Sequence, residues 1–159
     1  PYIAPLKIVN EEKAEKIYRI NQYAAVELSK VFQSKKVYAG EHGSVVLISS
    51  VYGVVGSAAN VCYAMTKSAI IGITKALAME FAARDIRVNC VAPGFVKSNM
   101  MAENTFRFDS DYMEKLESMH PLGLGTPEDI ANSIAFLMSD MSKWTTGAVL
   151  NVDGGFTAQ

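Results

Sequence analysis

Ser50, Tyr63 and Lys67 fall within one short stretch, Ser49–Lys67 (SSVYGVVGSAANVCYAMTK), that contains no other ionisable group apart from Tyr52 and Cys62. A helix beginning near Cys62 places Tyr63 and Lys67, at positions i and i+4, on one face with Cβ atoms about 5–6 Å apart. A neighbouring cation favours phenolate over phenol and lowers a tyrosine from its usual value of about 10. A tyrosine so tuned can give or take a proton near neutral pH. Full tuning to pH 7 needs a shift of about three units, or roughly 4 kcal/mol, part of which one lysine in a partly dry pocket supplies. A Tyr-x-x-x-Lys pair by itself also arises on helices that do no chemistry.

The elements that must position these groups are legible on either side. Val45-Val46-Leu47-Ile48 is an apolar run of the kind that forms a fully buried strand of a parallel sheet. Ser50 then sits at the carboxyl end of that strand, the edge at which open α/β sheets bind ligands. The loop Val51–Val61 carries Gly53 and Gly56 and can fold the chain back so that the three side chains converge. Upstream, Pro1 to Val9 reads as irregular lead-in. Asn10, followed by Glu11, Glu12 and the periodic series Ala14, Ile17, Ile20, Ala24, Leu28 and Val31, predicts an N-capped helix with one apolar face. Asn21 interrupts the series and, on these grounds alone, is a solvated or locally satisfied amide. Downstream, Tyr63 to Ala83 predicts a long helix with Gly72 in its middle, at a cost of up to about 1 kcal/mol relative to alanine. Close approach of another helix, from the same chain or another, justifies a glycine there. Arg87 to Ala92 predicts a second strand, Thr126-Pro127-Glu128-Asp129 a strong helix start running to Met138, and Ala148–Val152 a last strand.

Half of the 159 residues are apolar, and a formal net charge of -1 with an isoelectric point near 6.2 leaves no basic excess. Nucleic-acid and anionic-membrane partners are therefore not expected. Cys62 and Cys90 form no spaced metal or disulfide framework and fit buried free thiols of a cytoplasmic protein. Gly43 to Thr66 lacks charge over a length that could span a bilayer, but its serines, glycines and Asn60 suit a strand followed by a loop better. His42 and His120 have no metal-ligand partner at useful spacing.

Ser50 thirteen residues before Tyr63, Lys67 four after it, then Asn89-Cys90-Val91-Ala92-Pro93-Gly94 and Val152-Asp153-Gly154-Gly155 occur here in an order and at a spacing that resemble the short-chain dehydrogenase/reductase family. The branch closest in look is the 3-oxoacyl-[acyl-carrier-protein] reductase type of fatty acid biosynthesis. The resemblance implies an α/β fold, a Rossmann-like three-layer α/β/α doubly wound parallel sheet. It implies a cytoplasmic oxidoreductase that interconverts a carbonyl and an alcohol with NADP or NAD. Tyr63 would be the proton donor, Lys67 would lower the tyrosine and hold the nicotinamide ribose, and Ser50 would bind the carbonyl oxygen. Asn21 would support a water relay to the lysine. Pro93, Gly94 and Val96 would lie against the nicotinamide carboxamide and Ser98 near the pyrophosphate. An oxidised nicotinamide ring would add a second positive charge beside the phenol.

The substrate so implied is an acyl thioester, with an acyl carrier protein as partner met by basic residues. Arg84 fits that pattern, whereas Glu41 stands where a second basic group would help. A sugar, polyol or steroid carbonyl is the alternative. The helix bearing Asn21 and the helix bearing Tyr63 would make the main subunit contact of a homotetramer. Residues Phe95 to Met119, rich in methionine and aromatic residues, would form a lid over the substrate.

One element of the family pattern has no counterpart here. A dinucleotide-binding domain presents a glycine-rich turn between its first strand and helix, where backbone N–H groups hold the pyrophosphate. Gly123-Leu124-Gly125 begins such a motif, but Glu128 stands at the last glycine and no strand precedes it. The expectation is that residues 1–159 are the carboxyl-terminal, catalytic portion of a longer chain lacking the N-terminal βαβ half. By itself this portion would bind nicotinamide dinucleotides weakly and be inactive. A non-catalytic fragment is the rival expectation.

Overall fold

The computed structural model describes residues 2–38, 40–98 and 110–158, and not the side chain of Ser110. Three strands, β1 (Gly43–Ile48), β2 (Ile86–Pro93) and β3 (Val149–Val152), form a parallel sheet in the order β1-β2-β3. Gly43 pairs with Ile86 and Ile48 with Val91, and Cys90 pairs with Val149 and Pro93 with Val152. This register brings the carboxyl ends of all three strands to one edge.

Helices cover both faces, because successive strand residues point to opposite sides. On one face α3 (Val61–Phe81) lays Ala78 and Phe81 over Ile86 and Val88, with Val45 and Leu47 packed against them. On the other, α5 (Pro127–Met138) approaches the alternate residues: Ser44 Oγ donates to the Leu137 carbonyl oxygen at 2.9 Å, and Arg87 donates Nη1 to the same oxygen. Arg87 also donates to the Ser139 carbonyl oxygen and to Ser142 Oγ, so its charge closes the carboxyl end of α5. The predicted start of this helix is a complete capping box between Thr126 and Asp129, with Pro127 at the first helical position. Buried Asn89 donates to the Thr145 carbonyl oxygen and accepts from the Ala148 N–H, tying β2 to the segment that enters β3.

The first helical segment departs from expectation in one way. Asn10 caps it as predicted, accepting from the Lys13 N–H at 3.0 Å. However, α1 (Glu11–Tyr18) passes into a π-helical turn at Arg19–Tyr23 before α2 (Ala24–Phe32) resumes. A single π turn inside an α-helix rotates the residues after it relative to those before it. Of the periodic apolar series only Ile17 is buried, and Ile20 and Leu28 are 62% and 70% exposed. The pattern therefore marks a face that this chain leaves open, not a contribution to its own core. Gly72 on α3 is exposed too: a Cβ there would meet nothing within 4 Å, so tight packing within the described residues does not explain it.

Candidate active site

Ser50 follows β1 and caps a short 3-10 turn, Val51–Gly53, accepting from the Tyr52 N–H at 3.2 Å. That turn is stitched to α3 at the level of Lys67. Ser49 Oγ donates to the Lys67 carbonyl oxygen at 2.7 Å, and Ser68 Oγ donates to the Gly53 carbonyl oxygen at 3.0 Å. Gly53 is needed for closeness, since a Cβ there would stand 2.8 Å from the Lys67 carbonyl carbon and 2.6 Å from Ser49 Oγ. The stitching brings the Ser50 hydroxyl against the Tyr63 phenol, where it favours the phenolate. The Lys67 ammonium lies 5.7 Å from the centre of the Tyr63 ring. Ser50, Tyr63 and Lys67 thus lie together at the carboxyl end of β1.

The electrostatics differ from the sequence expectation. Lys67 Nζ donates to the Ile48 carbonyl oxygen at 2.9 Å, at the end of β1. Burial pushes the Tyr63 phenol up, the Ser50 hydroxyl pulls it only part of the way back, and burial pushes the Lys67 ammonium down. Desolvation of the charged form therefore outweighs the cation's pull. The consequence for stability has a definite sign. A phenol whose folded value is raised stabilises the fold below its unfolded value of about 10, and that contribution is lost as pH rises through the folded value. The buried ammonium acts in the opposite sense, costing stability below its folded value and ceasing to do so as pH rises above it. In a tyrosinate absorbance titration, Tyr63→Phe is expected to remove a transition lying above the ordinary value of about 10. Loss of a transition below that value contradicts burial as the dominant influence.

Asn21 lies on the π turn and donates Nδ2 to Thr66 Oγ1 at 3.0 Å, and Thr66 in turn donates to the Tyr63 carbonyl oxygen. The π turn thus aims Asn21 at the residue next to Lys67. Beside it, Gln22 donates to the Met65 carbonyl oxygen at 3.3 Å.

Pro93 ends β2 and Gly94 follows, its N–H donating to the Val152 carbonyl oxygen. A Cβ on Gly94 would stand 2.8 Å from the Asp153 Cα, so the two strand ends can approach only with glycine here. Val96 forms a parallel bridge with Gly125, in which Gly125 donates to the Phe95 carbonyl oxygen at 3.0 Å and accepts from the Lys97 N–H at 2.8 Å. In that geometry the flanking groups face Gly125, and the N–H and C=O of Val96 point to the opposite side. Ser98 closes this segment, partly buried. A main-chain donor and acceptor side by side suit a carboxamide, and Lys67 and Tyr63 present donors suited to ribose hydroxyls. The residues present therefore fit the nicotinamide half of a dinucleotide.

Two residues carry more of the site than their sequence positions suggested. Tyr52 packs edge-on against Phe95 and Phe156, and burial pushes its phenol up. His120, read from sequence only as a lone histidine before Pro121, is 3% exposed and contacts the turn after β2. Nothing in the local sequence marked it as buried or named its partner. Of the expected lid, Met100, Met101, Phe106 and Phe108 lie outside the described residues, whereas Tyr112 and Met113 lie on α4 (Ser110–Ser118). Arg84 is not a free basic group: it donates Nη1 to the carbonyl oxygen and Oε1 of Gln33 and lies 5.8 Å from the centre of the Tyr38 ring. His42 pairs with Asp85 at 3.0 Å, and both cysteines are buried and unbridged. Among the described residues no group of His, Cys, Asp and Glu is placed to hold a metal, and no helix is long and apolar enough to cross a membrane.

A parallel sheet covered on both faces, with a Ser-Tyr-Lys cluster at its carboxyl edge, defines an open α/β protein whose ligand site lies at that edge. The chain belongs to the short-chain dehydrogenase/reductase family: the family model described as enoyl-(acyl carrier protein) reductase matches residues 3–157. It is 38% identical over 148 residues to the 3-oxoacyl-[acyl-carrier-protein] reductase FabG of Rickettsia felis, covering 92% of this chain and 59% of that protein. Among solved structures it resembles a 4-hydroxyisoleucine dehydrogenase mutant complexed with NADH and succinate, with a TM-score of 0.92 and 31% identity over 99% of this chain and 65% of that one. It also resembles a gluconate 5-dehydrogenase from Burkholderia cenocepacia in complex with NADP and tartrate, with a TM-score of 0.91 and 25% identity over 99% of this chain and 61% of that one. The chain thus spans about three fifths of the length of these relatives.

Proposed function

We propose that the intact protein is an NAD(P)-dependent oxidoreductase that interconverts a carbonyl and an alcohol, with a 3-oxoacyl thioester as the preferred substrate. The observation that carries this reading is the convergence of the Ser50 hydroxyl, the Tyr63 phenol and the Lys67 ammonium at the carboxyl edge of the sheet. The nicotinamide, when bound, supplies hydride to the carbonyl carbon. Ser50 donates a hydrogen bond to the carbonyl oxygen, Tyr63 Oη gives that oxygen its proton as negative charge builds, and Lys67 stabilises the tyrosinate left behind. Asn21, held beside Lys67 through Thr66, supports the water that returns the proton. Val96 offers its main chain to the carboxamide, Pro93 and Gly94 shape that turn, and Ser98 lies toward the pyrophosphate.

The family model's description concerns reduction of a carbon–carbon double bond, but two hydroxyl groups facing each other serve an oxygen atom and favour carbonyl reduction. FabG relatives supply the thioester preference and the acyl carrier protein as partner. A small hydroxy acid or sugar acid is the second reading. It is favoured by the engagement of Arg84 with Gln33 and by the solved relatives named for 4-hydroxyisoleucine and gluconate. Steady-state assays of the full-length polypeptide are expected to show oxidation of reduced dinucleotide with acetoacetyl thioester and much slower oxidation with crotonyl thioester or gluconate analogues. Turnover only with the hydroxy or sugar acids selects the second reading, and no turnover with any of them rejects both.

A preceding βαβ half bearing the glycine turn completes the domain in this proposal. The outer edge of β1, where Ile48 is 40% exposed, is where its sheet would continue. Mass spectrometry of the native protein decides this against a non-catalytic fragment: a species near 17.3 kDa supports the fragment. Unbridged buried thiols suit a cytoplasmic setting.

Self-association, as a tetramer, is proposed through the exposed Ile20 and Leu28 of the first helical segment and the exposed Gly72 and Met79 of α3, the last 80% exposed. Gly72→Leu is expected to leave the fold intact and shift sedimentation toward smaller species. An unchanged sedimentation profile removes this face from the interface.

A further inference from the structure

We infer that His120 is a positioning residue for the nicotinamide, acting through the backbone of the turn after β2; the inference rests on the dinucleotide reading above. The ring is enclosed, with His120 3% exposed. Nδ1 lies 2.6 Å from the Leu116 carbonyl oxygen, which can only accept, so Nδ1 carries the proton. Nε2 lies 3.3 Å from the Phe95 nitrogen, whose N–H needs an acceptor. Both contacts are met at once only by the neutral imidazole protonated at Nδ1.

This arrangement clamps the turn from two sides. His120 takes the Phe95 N–H, while Gly125 takes the Phe95 carbonyl oxygen and the Lys97 N–H. Between those anchors the main chain of Val96 has one orientation, the one that offers its donor and acceptor away from Gly125. The ring is itself held by aromatic packing, edge-on to Phe95 with centroids 5.6 Å apart and tilted against Phe156 at 5.0 Å. Tyr52 lies edge-on to the same two rings. A side chain on Gly94 would stand 3.1 Å from Nε2, so the glycine leaves room for the clamp. Through Leu116 the clamp is anchored on α4, a helix within the expected lid stretch. An apolar residue at 120 leaves a part-buried N–H without its acceptor, and the turn must then move to satisfy it.

Binding to the full-length polypeptide tests this by comparing NADH or NADPH with ADP-ribose or its 2′-phosphate, which lack the nicotinamide. His120→Leu is expected to weaken the reduced dinucleotide by about tenfold or more, leaving the nicotinamide-free ligand within about twofold. His120→Gln, which carries an acceptor at similar reach, is expected to restore most of the loss. Equal weakening of both ligands, or none, overturns the inference and assigns His120 to packing alone. If the wild type binds neither ligand, the dinucleotide reading fails and the inference with it. Should the leucine variant not fold, nitrogen–proton correlation spectra of the wild-type imidazole decide. The Nδ1–H tautomer is expected, and an Nε2–H tautomer or a doubly protonated ring overturns the clamp.

Discussion

Tyr63→Phe is expected to lower kcat by about 10²–10⁴-fold, the usual contribution of a positioned general acid, while the dissociation constant of the dinucleotide rises by at most about tenfold, the worth of one hydrogen bond to a ribose hydroxyl. The variant deletes one oxygen and keeps the ring. The packing of the Tyr63 ring and its contact with the Lys67 ammonium survive, so melting temperature should move little. The pH profile carries a second expectation. Burial pushes this phenol up, so it remains protonated through neutral pH, and reduction should be flat there and fall only at alkaline pH. Oxidation of the alcohol needs the phenolate and should rise with pH, more steeply near neutrality if a positive ring sits beside it. Full-length variant and wild type compared by steady-state rates and calorimetric binding decide the matter. A variant retaining more than about one tenth of wild-type kcat rejects Tyr63 as the acid.

Gly53→Val is the second large effect, and it acts through geometry. The added Cβ would stand 2.8 Å from the carbonyl carbon and oxygen of Lys67 and 2.6 Å from Ser49 Oγ. Backbone cannot swing aside as a side-chain tip can, so the turn bearing Ser50 must separate from α3. Overpacking of this kind costs about 1–3 kcal/mol, and a displacement of about 1 Å between reacting groups can cost about 10²-fold in rate. The expected result is a lower melting temperature together with a fall in kcat that persists where the variant is fully folded. Gly56→Ala is the matched control, since nothing lies within 4 Å of its Cβ position and it should change neither quantity. A Gly53→Val protein with wild-type kcat would mean that the Ser50 turn does not depend on this contact.

The features legible in the sequence were those set by neighbours along the chain. The Tyr63–Lys67 pairing follows from helical periodicity, and α3 at Val61–Phe81 places both as expected. The Asn10 cap, the Thr126–Asp129 capping box and the three apolar strands are equally local, and each fell within a few residues of its predicted bounds. Tertiary structure decided what depends on partners distant in sequence. Lys67 donates a hydrogen bond to the Ile48 carbonyl oxygen, 19 residues away, and desolvation by the surrounding fold, not the cation, sets the direction of the Tyr63 shift. His120 meets Phe95 across 25 residues, with no local pattern to announce it. The apolar series from Ala14 to Val31 was legible as a face, but hydrophobic spacing identifies a surface to be covered and is silent about which molecule covers it. Sequence alone determined which groups could react and on which elements they ride. Burial, and with it the protonation state and orientation of each group, came only from the packing of segments far apart in the chain.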